Sequence, residues 1–208
     1  MQRNVCLSLL FLVFLSGCGT TSNEDAIANL KVAYMYEHGI GVPQDYATAM
    51  TWYRKAAESG LPEAQYGIGV LYDKGSGIER DSSEAARWFE RAANQGFVAA
   101  EFNLANYYRA GDGVSQDYEK ALAYYKKAAL QGFAAAQFNL GAMYGNGEGT
   151  PQNEAEAYKW LLVAEKSGYT DAGKYLSNFR PTLKKEHLSR IEKEAEELFQ
   201  AMPKSLVP

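Results

Sequence analysis

The strongest constraint on this chain is a period of 36 residues that occurs four times and begins a fifth time. The period is clearest in a column of alanines, at Ala28, Ala64, Ala100, Ala136 and Ala172. A tyrosine column keeps the same spacing, at Tyr36, Tyr72, Tyr108 and Tyr144. A Gly-x-Gly motif follows each of these tyrosines, beginning at Gly39, Gly75, Gly111 and Gly147. The chain is therefore predicted to be a stack of similar units.

Each unit has the apolar spacing of two helices. In the first helix of the second unit, one face carries apolar residues at i, i+4, i+7 and i+8, namely Ala64, Ile68, Leu71 and Tyr72. The glycines after the tyrosine predict a left-handed helix end. Asp45 and its equivalents predict the N-cap of a second helix, which we expect over residues 46–59. Each helical hairpin needs the next one to cover its apolar face.

The columns A…LG..Y..G.GV..D...A..W..KAA..G resemble those of the Sel-1-like repeat family, relatives of the tetratricopeptide repeats. The resemblance implies an all-α fold, a right-handed α-solenoid of helix-loop-helix repeats with a superhelix like that of the tetratricopeptide proteins. It covers four full units, at residues 28–63, 64–99, 100–135 and 136–171.

Residues 172–208 are predicted to form a partial fifth repeat, a capping helix and a tail. One face of the capping helix is apolar, with Leu183, Leu188, Ile191, Ala195 and Leu198. Its charged face is expected to keep the end of the stack soluble. An alternative is that these charges form a binding site for a partner. The tail from Met202 to Pro208 is predicted to fray.

The N-terminal segment resembles a bacterial lipoprotein signal. Arg3 precedes an apolar run over residues 7–15, and Leu15-Ser16-Gly17-Cys18 follows. The resemblance implies a signal peptide over residues 1–17, acylation of Cys18 and a linker over residues 18–27. An ordinary secretory signal cut near Gly19 and a cytosolic protein with a buried N-terminus are the alternatives. The apolar run is shorter than the roughly 20 residues that a membrane span needs.

The residue after Cys18 indicates where such a lipoprotein would reside. Gly19 stands where an aspartate would mark retention in the inner membrane, which resembles sorting to the outer membrane in enteric-type bacteria. We therefore expect a lipid-anchored protein of the bacterial cell envelope, attached to the outer membrane and facing the periplasm.

The charge balance disfavours a nucleic-acid partner. The chain has 21 basic and 25 acidic residues, so loss of Arg3 with the signal leaves 20 against 25, a net charge of −5. Nucleic acids are bound by clustered lysines and arginines, and no such stripe occurs here. Loss of Cys6 with the signal would leave Cys18 as the only cysteine, which excludes an internal disulfide.

The sequence gives little support for catalysis. The two histidines are His38 in a loop and His187 in the capping helix, whereas a zinc site needs three or four ligands. Neither Ser-x-x-Lys nor Gly-x-Ser-x-Gly occurs. The Gly-x-Gly motifs could form phosphate-binding loops, but they follow helices, which favours turn formation. We expect a protein that is not an enzyme and uses no cofactor or metal.

The concave face of the solenoid, lined by the first helices, is the predicted binding surface. Aromatic and asparagine side chains recur there, and the candidates for binding a protein or peptide are Tyr66, Phe102, Asn103, Asn106, Phe138 and Asn139. Aromatic rings supply contact area, and amides can pair with an extended backbone. The alternative for the aromatic residues is packing between neighbouring first helices.

Two function classes remain. One is a scaffold or adaptor lipoprotein whose groove holds a partner protein. The other is a periplasmic immunity protein that neutralises a phospholipase toxin delivered by a type VI secretion system, as some resembling lipoproteins do. The partner would then be a secreted effector. In both classes the N-terminal lipid anchor attaches the protein to the membrane, and an enzyme is a distant third.

Overall fold

The computed structural model describes residues 23–203, which form consecutive helical hairpins. The first helices of the four hairpins are α1 (Asn23–His38), α3 (Pro62–Lys74), α5 (Val98–Ala110) and α7 (Ala134–Asn146). The second helices are α2 (Tyr46–Glu58), α4 (Ser82–Ala93), α6 (Tyr118–Leu130) and α8 (Glu154–Lys166). Two further helices, α9 (Ala172–Phe179) and α10 (Lys185–Ala201), end the stack. The predicted all-α solenoid is confirmed.

The predicted helix caps are confirmed. The Asp45 carboxylate accepts hydrogen bonds from the backbone N–H groups of Ala47 and Thr48, which would otherwise lack partners at the start of α2. The Thr48 hydroxyl, which donates to the same carboxylate, and these backbone bonds lower the pKa of Asp45. Asn153 replaces the aspartate in the fourth unit and accepts from the N–H of Glu156 in the same way.

The two glycines of each Gly-x-Gly motif have different roles. Gly75 ends α3 in the left-handed conformation, with φ of 66°, as the sequence predicts. Gly113 lies against the preceding repeat: a Cβ atom there would be 2.3 Å from the carbonyl carbon of Ser82, the first residue of α4. The second glycine therefore lets neighbouring repeats approach closely, a role beyond the predicted turn.

The core is a seam between neighbouring helices, and small residues line much of it. Three of the alanine columns are completely buried in every unit where a preceding and a following helix enclose them: Ala64, Ala100, Ala136 and Ala172; Ala49, Ala85, Ala121 and Ala157; Ala56, Ala92, Ala128 and Ala164. Ala28 belongs to the first of these columns but is exposed, since no repeat precedes α1 within residues 23–203. The seam explains why the alanines recur.

The N-terminal end of the stack begins earlier than the predicted repeats. Helix α1 starts at Asn23, with Glu24 and Asp25 in its first turn, where acidic residues favour a helix start. Ala26 is completely buried. The helix thus extends into the segment predicted as a linker, 18–27. The predicted signal peptide and Cys18 lie outside the described residues. No helix within residues 23–203 is long and apolar enough to cross a membrane.

The capping helix covers the end of the fourth repeat. Helix α10 packs against α8, and its predicted apolar face is buried at Ile191 and Ala195, which are 3% and 0% exposed. Its charged face carries ion pairs, among them Lys166 Nζ to Glu196 Oε2 at 2.6 Å, which joins α8 to α10. This face is largely solvated, as expected for a cap.

The prediction that the chain frays from Met202 onward is wrong for that residue. Met202 is 7% exposed, and the Gln137 side-chain amide donates to its sulfur at 3.3 Å. In the two preceding units, the residue equivalent to Gln137 bonds instead to a loop glutamine, Gln95 or Gln131. The corresponding loop position in the fourth unit is Ser167. Met202 fills that place, whereas residues 204–208 lie outside the described part.

Candidate protein-binding surface

The four first helices present a row of side chains each, and together these rows form what we call the first-helix surface. It corresponds to the predicted concave face. The spacing within a row is i, i+4, i+7 and i+11, which places four residues on one side of a helix. The rows are Ile27, Lys31, Tyr34 and His38; Glu63, Gly67, Val70 and Lys74; Ala99, Asn103, Asn106 and Ala110; and Ala135, Asn139, Ala142 and Asn146. All of these residues except Gly67 are exposed or half-buried.

The predicted aromatic residues lie beside these rows and pack against the body of the protein. The Tyr66 ring is 5.1 Å from that of Phe97, between centroids, and the Phe102 ring is 5.0 Å from that of Phe133. Phe138 stacks on Tyr169 at 4.7 Å. Phe97 and Phe133 directly precede the next first helix, and Tyr169 holds the equivalent position in the fourth unit. All three predicted rings are half-buried, so part of each still faces solvent.

Two of the predicted asparagines hydrogen-bond to tyrosines, the buried Tyr125 and the half-buried Tyr66. The Tyr125 hydroxyl is inside the fold and donates to Asn106 Oδ1. Burial raises the pKa of Tyr125 to about 12, although Arg109 and Asn139 act against that shift. Asn103 Nδ2 lies 3.5 Å from the Tyr66 hydroxyl. These amides therefore support the fold, while the half-buried remainder of each faces the surface.

A small cavity lies at the end of the α5 row. Its volume is about 350 Å³ and its lining includes Asn106, Ala110 and Tyr118. An ion pair closes one side, since Arg109 Nε lies 2.8 Å from Glu148 Oε2. The guanidinium lowers the pKa of the Glu148 carboxyl. Glu148 is the middle residue of a Gly-x-Gly motif, so this pair also joins the third repeat to the fourth.

A larger cleft lies between α1 and α3, and we call it the N-terminal cleft. Its volume is about 680 Å³, and its apolar lining includes Leu30, Tyr34, Tyr66, Val70 and Phe97. Gly67, in the middle of the α3 row, makes room for the Tyr53 ring. A Cβ atom on Gly67 would be 2.7 Å from the Tyr53 ring, which also lines the cleft.

Charged side chains accompany the apolar lining of the N-terminal cleft. The Tyr53 hydroxyl donates to the Glu37 carboxylate, and burial together with this bond raises the pKa of Tyr53. Glu63 and Lys74 stand at opposite ends of the α3 row. Lys31 and His38 line the α1 side.

Of the six predicted residues, two line a cavity and four do not. Tyr66 lines the N-terminal cleft and Asn106 lines the smaller cavity. The other four lie along α5 and α7 and line neither cavity: Phe102, Asn103, Phe138 and Asn139. Sequence reasoning missed Glu63, Lys74 and Arg109. The 36-residue spacing could have found the first two, because they occupy the ends of the same row.

These features define an α-solenoid of four helical hairpins with two cavities along its first helices. The model of the Sel1 repeat matches residues 26–61, 62–97, 98–133 and 134–169. The chain therefore belongs to the Sel1 repeat family. Sel1 repeats generally mediate protein–protein interactions, and proteins built from them are typically scaffolds without enzymatic activity.

Two solved structures are similar to this chain. A Sel1 repeat protein from Oxalobacter formigenes is 27% identical, with a TM-score of 0.74; the match covers 86% of this chain and 76% of that protein. The protein c5321, a protective antigen of uropathogenic Escherichia coli strains with an SLR fold, is 25% identical, with a TM-score of 0.56. That match covers 88% of this chain but 50% of the antigen, so the chain spans half of the antigen's length. No curated protein matches the chain.

Proposed function

We propose that this protein is a lipid-anchored adaptor of the bacterial cell envelope, which holds a segment of a partner protein on its first-helix surface and has no catalytic activity. The observation that carries the proposal is the surface itself. Four rows of side chains lie side by side, exposed or half-buried at every position but Gly67, and two cavities open along them. A continuous surface of this kind suits an extended segment better than a small molecule.

The composition of the α5 and α7 rows supports a peptide or loop as the occupant. Both rows consist of alanines and asparagines, two of each, so small side chains stand beside the amide groups. Amides donate and accept hydrogen bonds, as a peptide backbone does. The half-buried faces of Phe102 and Phe138 lie beside these amides and supply apolar contact area.

The N-terminal sequence supports the anchor. Acylation of Cys18 would place the lipid five positions before Asn23, the start of α1. An extended chain spans about 3.3–3.6 Å per residue, so the first repeat would lie within roughly 20 Å of the membrane surface. A partner of this groove would therefore be met close to the membrane.

Two experiments test these parts separately. Metabolic labelling with an alkyne fatty acid should label the full chain and leave Cys18→Ser unlabelled. Labelling of both or of neither would overturn the lipid anchor. For the groove, the full chain with an affinity tag after Pro208 is captured from envelope extract, and the proteins retained with it are identified by mass spectrometry.

The capture experiment has matched variants. Asn103→Ala/Asn139→Ala removes two amides, and Ala110→Arg adds bulk at an exposed end of the α5 row. Ala123→Arg makes the same change at an exposed alanine of the second helix α6. We expect one protein to be lost with the first two variants and kept with the third. Equal retention by all would overturn the proposal, and a retained phospholipase effector would identify the protein as an immunity protein instead.

A further inference from the structure

The N-terminal cleft differs from the rest of the first-helix surface in its charges. In the α3 row, Glu63 and Lys74 flank Gly67 and Val70, whereas the α5 and α7 rows carry only alanine and asparagine. Both charged side chains are exposed and line the cleft. At about 1.5 Å per residue along a helix, the eleven positions from Glu63 to Lys74 correspond to roughly 16 Å.

Neither of these charges is neutralised by the protein. Within residues 23–203, the Glu63 carboxylate and the Lys74 ammonium form no ion pair. Charges in the neighbouring loops do pair: Arg80 lies 2.8 Å from Asp112, and Arg109 lies 2.8 Å from Glu148. The two free charges of the α3 row are therefore available to a ligand.

Between the two charges, the α3 side of the cleft is apolar, while Lys31, Glu37 and His38 lie on its α1 side. Tyr34 is 51% exposed, although its ring is stacked on that of His38 with 4.0 Å between centroids. Tyr66, Val70 and Leu30 complete this middle part. The Tyr53 ring packs directly on Gly67, so it forms part of the apolar lining at this point.

We propose that the N-terminal cleft binds an extended peptide segment of about five residues, with an apolar centre, a basic residue at the Glu63 end and an acidic residue at the Lys74 end. The length follows from the 16 Å span, since an extended strand rises about 3.3 Å per residue. The charges follow from complementarity to the two unpaired groups. This inference rests on the proposed peptide-binding function and adds the chemistry and orientation of the segment.

The test uses three five-residue peptides with blocked termini: Arg-Leu-Phe-Leu-Glu, Arg-Leu-Phe-Leu-Arg and Glu-Leu-Phe-Leu-Glu. Each is titrated at low ionic strength into the full chain labelled with ¹⁵N, and the Kd is read from amide shifts in α1 and α3. Exposed ion pairs are weak, so we expect each mismatched end to raise the Kd about threefold to fivefold. The peptide with one charge of each sign should bind best.

Two single substitutions should switch the preference. Glu63→Lys leaves two positive ends and should favour the peptide with two glutamates, whereas Lys74→Glu should favour the peptide with two arginines. Glu63→Lys/Lys74→Glu should again favour the mixed peptide. Both residues are exposed, so these variants are expected to fold like the wild type.

Equal affinity for the three peptides, no switch in the variants, or shifts confined to α5 and α7 would each overturn the inference. These outcomes are distinct from failure of the adaptor proposal. Capture of a partner through Asn103 and Asn139 involves other repeats, and it would stand if the N-terminal cleft bound none of the peptides.

Discussion

Gly113, the second glycine of the third loop, lies directly against Ser82 at the start of α4, with only 2.3 Å between the Ser82 carbonyl carbon and the place where a Cβ would stand. Gly77 and Gly149 make the same kind of approach to Tyr46 and Tyr118. Gly41 has no such neighbour, because its nearest contact would be the flexible end of Met35 at 3.9 Å. The second glycine of each motif is thus closely packed only where a preceding repeat lies against it.

This difference predicts unequal effects of one substitution at two equivalent glycines. Gly41 and Gly113 have φ of 73° and 67°, so alanine at either position costs about 1–2 kcal/mol of backbone strain. Gly113→Ala must also displace α4, which adds about 1–3 kcal/mol. Urea denaturation should show the larger loss of unfolding free energy for Gly113→Ala. Equal losses would mean that the contact with Ser82 relaxes at no cost.

Much of the fold could be predicted from the sequence because the repeat makes local signals reinforce one another. The Asp45 cap, the left-handed Gly75 and the buried alanine column each depend on a few neighbouring residues, and each occurs in several units. The burial of Met202 was not predictable, because the side chain it contacts, Gln137, lies 65 positions earlier in the chain.

The candidate site was less predictable, because the role of its residues also depends on contacts between distant parts of the sequence. An asparagine in a first helix could face a ligand or a tyrosine of the next helix, and only the structure shows that Asn106 accepts from Tyr125. The charges of the α3 row were visible in the sequence. Their meaning depends on whether Glu63 and Lys74 find partners within the fold, which spacing does not reveal.

The buried Glu101 predicts a pH dependence of stability. It is 3% exposed, accepts from Gln131 at 2.8 Å, and has its pKa raised by desolvation. A carboxyl with a raised pKa in the folded state stabilises the fold fully below its unfolded pKa and loses that contribution as the pH rises through the folded pKa. The equivalent positions carry Gln65 and Gln137, so this column accommodates an amide.

We therefore expect Glu101→Gln to unfold at a higher urea concentration than the wild type at neutral pH. The advantage should shrink as the pH falls through the titration of Glu101, toward equality when the wild-type carboxyl is protonated in both states. Glu79→Gln, in an exposed loop, serves as the control and should show no comparable trend. A constant difference between Glu101→Gln and wild type across the acidic range would contradict this account.

Phe102 is predicted to matter for stability as well as for binding. Its ring contacts the rings of Phe133 and Tyr125, with centroids 5.0 Å and 5.9 Å away. Since the ring is half-buried, Phe102→Ala should lower the free energy of unfolding by about 2 kcal/mol. The adjacent Asn103→Ala should lower it by less than about 1 kcal/mol. Similar effects of the two substitutions, measured by chemical denaturation, would show that the ring contributes little to packing.

The most direct test of the account is to ask which face touches the partner in the cell. A photo-reactive benzoylphenylalanine is introduced into the full chain at Ala110, on the first-helix surface, or at Ala123, on the second helix α6; both alanines are exposed. After irradiation, the cross-linked protein is identified by mass spectrometry. The account predicts one protein cross-linked from position 110 and not from position 123. A partner captured from position 123 alone would place binding on the opposite helices and contradict the central claim.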